Sequence, residues 1–281
     1  MSVVVPQPIL DHAVINVADQ LDNASARFRR LGFQLTARGH HSLGSSNHLA
    51  VFGENYLELL GYESGKGSQR ADLWHAPLGL SGLVWKSSDA ESDFLYLQRQ
   101  DLDGEPPAAF WRPVTLPDDS TREAHFRTVR LRSSLIPNGR TFFCQHLTPD
   151  AVWQPAWQQH PNGVQNISEF VIVAQDPARS ALVYSRLFGA AKVIACPEGA
   201  FVLRAGAATV RFASADYALQ RFGPLPEDYD GSARMVALGF VTQDLALTRR
   251  ALLAGGIRFQ EQAEALVVGS GEGFNLALRF A

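Results

Sequence analysis

One pattern returns four times along this chain, and it constrains the fold more than any other feature of the sequence. In each copy a β-branched apolar run leads to an Asp, an amphipathic helical stretch follows, and short apolar runs close the unit. The first copy opens with Leu10-Asp11-His12-Ala13-Val14-Ile15-Asn16-Val17-Ala18-Asp19. Leu21, Ala24, Phe28 and Leu31 then recur at helical spacing, and Gly32 supplies a stop signal. Residues 33–37, 48–52 and 56–60 are expected as strands, the last two joined by a turn at Gly53-Glu54-Asn55. The unit is therefore βαβββ.

The same order returns over residues 80–89, a helix at 90–101, and strands at 109–116, 124–131 and 140–147. A third copy runs through 167–176, a helix at 177–187, and strands near 192–195, 200–204 and 209–213. The fourth spans 235–280, with Asp244 before a helix at 245–254. Pro, Gly and two Trp break the periodicity around residues 155–162. Two domains are expected: 1–155, with modules 1–65 and 78–150, and 163–281, with modules 163–218 and 232–281. Residues 63–70 and 222–232 are expected as crossings between modules.

Composition excludes several classes of function. With 25 Lys and Arg against 28 Asp and Glu, no basic field exists to collect nucleic acid. No cationic, apolar leader and no apolar stretch of membrane-spanning length occurs, so no membrane partner is expected and a cytoplasmic location is. Cys144 and Cys196 are too few for a disulfide framework and are expected as thiols. Phosphate-loop, G-x-S-x-G and H-E-x-x-H patterns are absent, and Gly269-Ser270-Gly271-Glu272-Gly273 precedes a strand, as a turn would.

The Leu10-Asp11-His12 opening and the segment Asn55-Tyr56-Leu57-Glu58-Leu59-Leu60 resemble the vicinal oxygen chelate superfamily, and within it the glyoxalase-like domain proteins. The resemblance implies an α+β fold of four βαβββ modules, paired into two open-barrel domains whose cup-shaped sheets enclose a divalent metal ion. It also implies a small-molecule substrate and a possible homodimer. Zn, Ni, Mn and Fe all accept imidazole and carboxylate ligands, so residue type leaves the metal open. The superfamily contains glyoxalases, extradiol dioxygenases, epimerases and metal-free binding proteins, so the fold does not choose the reaction.

On the resemblance, His12 and Glu58 are metal ligands. Strand alternation puts His12 on one face with Val14 and Asn16, and a carboxylate among Leu57, Leu59 and Leu60 requires compensation. Matching Asp89 with Asp19 puts Gly82 where His12 stands, so one usual ligand is missing from the second module. Its last strand places Phe143 at the usual carboxylate position. Strict alternation then puts His146 on the opposite face and Gln145 on the same one, and either could be the third ligand. His48 is a candidate base or substrate contact at the mouth of the cup, with His40 and His41 as equivalents, and Phe143 and Gln145 are candidate substrate contacts. The alternating polar residues Glu123, His125 and Arg127 form either a solvated face or a charged lining. In the second domain Glu169 and Ala237 correspond to His12, and Ala277 occupies the carboxylate position, so a degraded site is expected there.

The expected function is metal-dependent catalysis, of the isomerase or lyase type, on a small substrate with vicinal oxygens. Two alternatives are a metal-free small-molecule binding protein and an Fe(II) extradiol-type dioxygenase. Family dioxygenases of this size keep their metal in the C-terminal pair of modules.

Overall fold

The computed structural model describes residues 5–67 and 71–281. Residues 1–4, at the head of the first expected domain, and 68–70, at the end of the expected 63–70 crossing, lie outside the described residues. The first module comprises β1 (Leu10–Ala18), α1 (Leu21–Arg30), β2 (Gly39–His40), β3 (Ser46–Val51) and β4 (Tyr56–Gly61). After α2 (Ala71–Trp74), the second comprises β5 (Gly79–Ser87), α3 (Ala90–Arg99), β6 (Ala108–Thr115), β7 (Thr121–Arg130) and β8 (Arg140–His146). The third contains β9 (Val164–Val173), α4 (Pro177–Phe188), β10 (Val193–Ala195), β11 (Phe201–Ala205) and β12 (Ala208–Ala213). After α5 (Ala215–Phe222), the fourth contains β13 (Arg234–Thr242), α6 (Leu245–Ala254), β14 (Gln260–Gln262), β15 (Ala265–Val268) and β16 (Ala277–Phe280). The fold is α+β, with four βαβββ modules paired into two cupped sheets.

The strand orders are β2-β3-β4-β1-β5-β8-β7-β6 and β10-β11-β12-β9-β13-β16-β15-β14. Modules meet through the antiparallel pairs β1·β5 and β9·β13. The recurring Asp explains itself in three of the four modules as a helix cap. Asp89 accepts from the backbone N–H groups of Glu91 and Ser92, Asp176 from Arg179, and Asp244 from Ala246. In the first module the cap position falls on Gln20, which makes no capping bond.

Two expected strands differ. Residues 33–37 form no ladder and make a backbone bond to β3 through Thr36 N and Leu49 O, leaving Gly39–His40 as the edge strand. The expected run from Phe274 begins only at Ala277, because Phe274 and Asn275 both adopt left-handed backbone with φ of 63°.

Alternation sorts β1 as expected: Ala13, Ile15 and Val17 enter the main core with Phe28 and Leu31, and Val14 enters a separate cluster inside the cup. The main core is shared by both halves of the chain. Phe33 packs on Phe240, and Trp85 and Phe143 pack on Phe188 of α4. The Gly53–Asn55 turn docks on β9, where Asn55 Nδ2 donates to Ile167 O (3.1 Å) and Ile167 N donates to Asn55 Oδ1 (2.8 Å). His160 is consumed structurally, accepting from Gln34 N through Nδ1 at 3.0 Å and donating from Nε2 to Val51 O at 2.9 Å.

The two cups have different interiors. The edges of the first sheet come together where Ser42 N donates to Trp111 O (2.9 Å), so this cup nearly closes into a barrel. Helix α5 fills the second, with Ala218 and Phe222 packed among Val171, Val173, Val236, Ala237 and Ala277. Among the described residues no helix is long and apolar enough to cross a membrane.

Candidate active site

The first cup holds a cavity of about 80 Å³ that opens to solvent, bordered by His12, His41, Asn47, Tyr56, Glu58 and Arg112 among apolar and aromatic side chains. His12 arrives there from β1 and Glu58 from β4, two strands paired in parallel with Val14 opposite Glu58. His12 Nε2 lies 3.7 Å from Glu58 Oε2. That is too long for a hydrogen bond. It suits two donors on one cation, since ligand bonds of about 2.0–2.2 Å place cis or tetrahedral donors about 3–3.7 Å apart.

The other face of the imidazole is fixed. A register shift in β1 between Leu10 and His12 keeps Leu10 in the main core and brings Asp11 beside the ring of its own neighbour. Asp11 Oδ2 accepts from His12 Nδ1 at 2.6 Å and from His146 Nε2 at 3.0 Å. Burial works against the Asp11 carboxylate, yet His146 and His12 together hold its pKa well below the ordinary value. A carboxylate on Nδ1 leaves the Nε2 lone pair directed at the cup, which is how a metal-binding or basic imidazole is oriented. The ring is also clamped between Tyr56, stacked at 4.3 Å, and the edge of Phe142 at 5.9 Å.

Glu58 is similarly held. Asn47 Nδ2 donates to its Oε1 at 2.7 Å, and His41 Nε2 stands 3.8 Å from the same oxygen. Burial would raise its pKa, and His12, His41, Asn47 and Arg140 reverse that and lower it, so the carboxylate stays ionised. Tyr56 and Cys144 are pushed up by burial and by the neighbouring carboxylates, so both keep their protons. Asp11, Cys144 and His146 also place one ligand atom each within 4.8 Å of one another, a donor set of cation-binding type just behind His12.

The register explains which ligand positions the second module has vacated. His12 pairs with Val84, and Val14 with Gly82, so the pseudo-twofold relation between modules exchanges His12 with Gly82. A Cβ at Gly82 would lie 2.7 Å from the Cβ of Val14, leaving no room for an imidazole without displacement of β1. Val84 pairs with Phe142, which makes Phe142 the counterpart of Glu58. The expected placement of Phe143 there is off by one residue. Phe143 faces the main core, and Gln145 shares its face, accepting from Ala90 N (3.2 Å) and donating to Ser88 O (2.8 Å). His146 lies on the cup side with Phe142 and Cys144, because strand parity counts from Phe142.

His48 does not border the cavity. It lies on the face of β3 opposite Asn47, where its Nδ1 is 2.9 Å from Thr36 O, and burial lowers its pKa. His41, grouped with it in the sequence, is the histidine that reaches Glu58. His125 sits on the outer face, 2.9 Å from Glu123. Arg112 was not singled out from the sequence. The sequence signal that could have found it is strand alternation, which puts Arg112 on one face with Phe110 and Val114, and the structure buries Arg112 and Val114 on that face.

In the second cup the corresponding charges are rearranged. Val171 pairs with Arg211 and Gly239 with Arg279, so arginines stand where Glu58 and Phe142 stand in the first cup. Ala277, expected at the carboxylate position, lies two residues earlier. Glu169 is bound by Arg211 Nε at 2.6 Å, Arg221 Nε at 3.3 Å and the Tyr217 hydroxyl at 3.4 Å. Its oxygens are occupied by these internal partners.

Comparison with known proteins agrees with this architecture. No curated protein matches the chain in sequence. Among solved structures, a hypothetical protein from Staphylococcus aureus is similar with a TM-score of 0.68 and 14% identity, covering 97% of this chain and 98% of its own. A mutant of 4-hydroxymandelate synthase from Streptomyces coelicolor matches with a TM-score of 0.61 and 12% identity, over 98% of this chain and 92% of that one. A fusion of a xylose isomerase-like TIM barrel with 4-hydroxyphenylpyruvate dioxygenase matches with a TM-score of 0.55 and 12% identity, over 98% of this chain and 49% of that one. Residues 10–188 match the family described as Glyoxalase-like domain, a span that holds the whole first sheet together with β9 and α4. The chain belongs to this glyoxalase-like domain family of the vicinal oxygen chelate superfamily.

Proposed function

We propose that the first cup is the active site of a metal-assisted enzyme acting, as an isomerase or lyase, on a small substrate with two adjacent oxygens. The observation that carries the proposal is the 3.7 Å approach of His12 Nε2 to Glu58 Oε2, with Asp11 fixing the imidazole from behind. His12 and Glu58 would hold a divalent ion, which when bound supplies Lewis-acid polarisation of neighbouring oxygens. His146, bonded through Nε2 to Asp11, supports this pair through the carboxylate and does not border the cavity.

The chain's own residues supply the remainder of the chemistry. Glu58, held ionised, is the candidate base, with Oε2 turned to the cation and Oε1, which still has a lone pair beside the Asn47 bond, left to take a proton. His41, 3.8 Å from Glu58 Oε1, is placed to pass that proton onward. Phe110, Phe126 and Phe142 exclude water from the reacting region and strengthen every charge interaction inside it.

The test is metal content after purification without a histidine tag, followed by titration with Zn²⁺ and Mn²⁺. One ion per chain is expected, with loss of stoichiometric binding in His12→Ala and Glu58→Gln. Unchanged stoichiometry in both variants would refute the assignment. A second reading, a metal-free binding protein, is favoured by Gly82 and Phe142 at two vacated ligand positions. It requires that neither ion bind and that ligand affinity be indifferent to chelator. The dioxygenase reading is weakened by the second cup, where α5 fills the interior and Glu169 is tied to two arginines.

A further inference from the structure

Arg112 projects from β6 into the same cavity and is only 3% exposed. Its Nη2 is buried without a hydrogen-bond partner among the described residues. Burial pulls the guanidinium below its ordinary pKa, and Tyr56 and Glu58 oppose that pull. A buried cation lacking a full set of partners costs several kcal/mol in general, unless something in the site compensates it. Asn47 Oδ1, on the same lining, is likewise buried without a partner among the described residues.

The backbone next to Arg112 is shaped to admit it. A Cβ at Gly39 would come 2.4 Å from Asn47 Oδ1 and 3.1 Å from Arg112 Nη1, so the absence of a side chain at 39 is what lets Arg112 lie beside Asn47. Asn47 in turn donates to Glu58, which sets the guanidinium next to the proposed reacting centre. Aromatic rings supply further lining: Phe110 and Phe126 stack at 5.1 Å, and Phe142 stands against His12.

The geometry points to Arg112 as the anchor for a carboxylate on the substrate, whose apolar or aromatic body lies against Phe110, Phe126 and Phe142. This rests on reading the first cup as a small-molecule site. A planar carboxylate matches the guanidinium fork in two parallel N–H···O bonds. A monoanion suits the site better than a phosphate dianion, because Glu58 and Asp11 already contribute negative charge to the same interior. The substrate class is thus a small aryl- or alkyl-carboxylate that also carries adjacent oxygens.

The probe is phenylacetate, which has the carboxylate and the ring and lacks vicinal oxygens, compared with its neutral isostere phenylacetamide. Both are titrated by calorimetry into chelator-treated whole protein. Phenylacetate is expected to bind more tightly than the amide by about ten- to a hundredfold, the ratio that a charge-assisted bond of ~1.5–3 kcal/mol yields. Arg112→Gln should abolish the preference, and Arg112→Lys should retain part of it. Equal binding of acid and amide by the wild-type protein, or no binding of the acid, overturns the assignment without recourse to any variant. Full acid preference in Arg112→Gln overturns it too. Acid preference that persists in His12→Ala leaves the anchor standing if the metal reading fails. Metal bound through His12 and Glu58 with no acid preference leaves the metal reading standing and removes the anchor.

Discussion

Replacing Asp11 with Asn removes one charge while preserving shape, and it tests whether this carboxylate organises the site. Asp11 is 1% exposed and accepts from two imidazoles at 2.6 and 3.0 Å. Hydrogen bonds to charged groups are worth about 1.5–3 kcal/mol each. The Asn amide has a single acceptor oxygen and two donors, so it can keep one of the two histidines and presents N–H to the other. Against that loss stands relief of the buried charge, whose Oδ1 has no partner among the described residues. The balance leaves Asp11→Asn destabilised by roughly 2–3 kcal/mol at neutral pH, measured by urea unfolding monitored through tryptophan fluorescence.

The sign of the pH dependence follows from the same bonds. The folded state holds the Asp11 pKa below its ordinary value of 3.8, so this stabilisation is fully present above that value and is lost as pH falls through the depressed one. The wild-type advantage over Asp11→Asn should therefore be constant from neutral pH to about 5 and shrink in stronger acid. Nitrogen-15 NMR should also find His12 with its proton on Nδ1 in the wild type. A variant within about 0.5 kcal/mol of wild type, with an unchanged His12 tautomer, would refute the organising role of Asp11.

Further perturbations separate the site from its frame. His48→Gln should leave metal stoichiometry and phenylacetate affinity unchanged and cost about 1 kcal/mol of stability, since its 2.9 Å contact with Thr36 O lies outside the cup; loss of either ligand would return His48 to the site. Phe143→Ala should cost about 3–5 kcal/mol by thermal or urea unfolding because the ring is fully buried in the shared core, again without altering acid preference. Gly82→Ala places a Cβ 2.7 Å from Val14 and should destabilise by about 1–3 kcal/mol through overpacking, and an unaffected melting temperature would show that β1 yields freely. The Glu58 carboxyl should titrate below its ordinary 4.5 in carbon-13 NMR of the chelated protein, so its charged form and the stability linked to it persist as pH falls through 4.5. A midpoint above that value would mean that burial outweighs the surrounding donors.

The division of labour between sequence and tertiary structure is clearest at individual residues. Four repeats of a strand ending in Asp, an amphipathic helix and short strands sufficed to specify the βαβββ modules, because period-2 and period-3.6 patterns are local and Asp89, Asp176 and Asp244 cap helices in the same chain segment. His12 was legible through the resemblance, which puts a ligand on the first strand of the first module, and Glu58 because it is the one charged side chain on β4, among Leu57, Leu59 and Leu60. Three features required the folded chain. The parity of β8 depends on which residue pairs with Val84, a long-range register, so it took the sheet to turn Phe143 and Gln145 into the core layer and His146 toward Asp11. The conversion of Asp11 from a neighbour of His12 into its hydrogen-bond partner depends on a register shift that strict alternation does not contain. Arg112 and His41 become part of the cup only because β2 and β6, distant in the chain, bring the edges of one sheet together. Local spacing determines which face a residue can occupy; only strand register and sheet closure decide what it meets there.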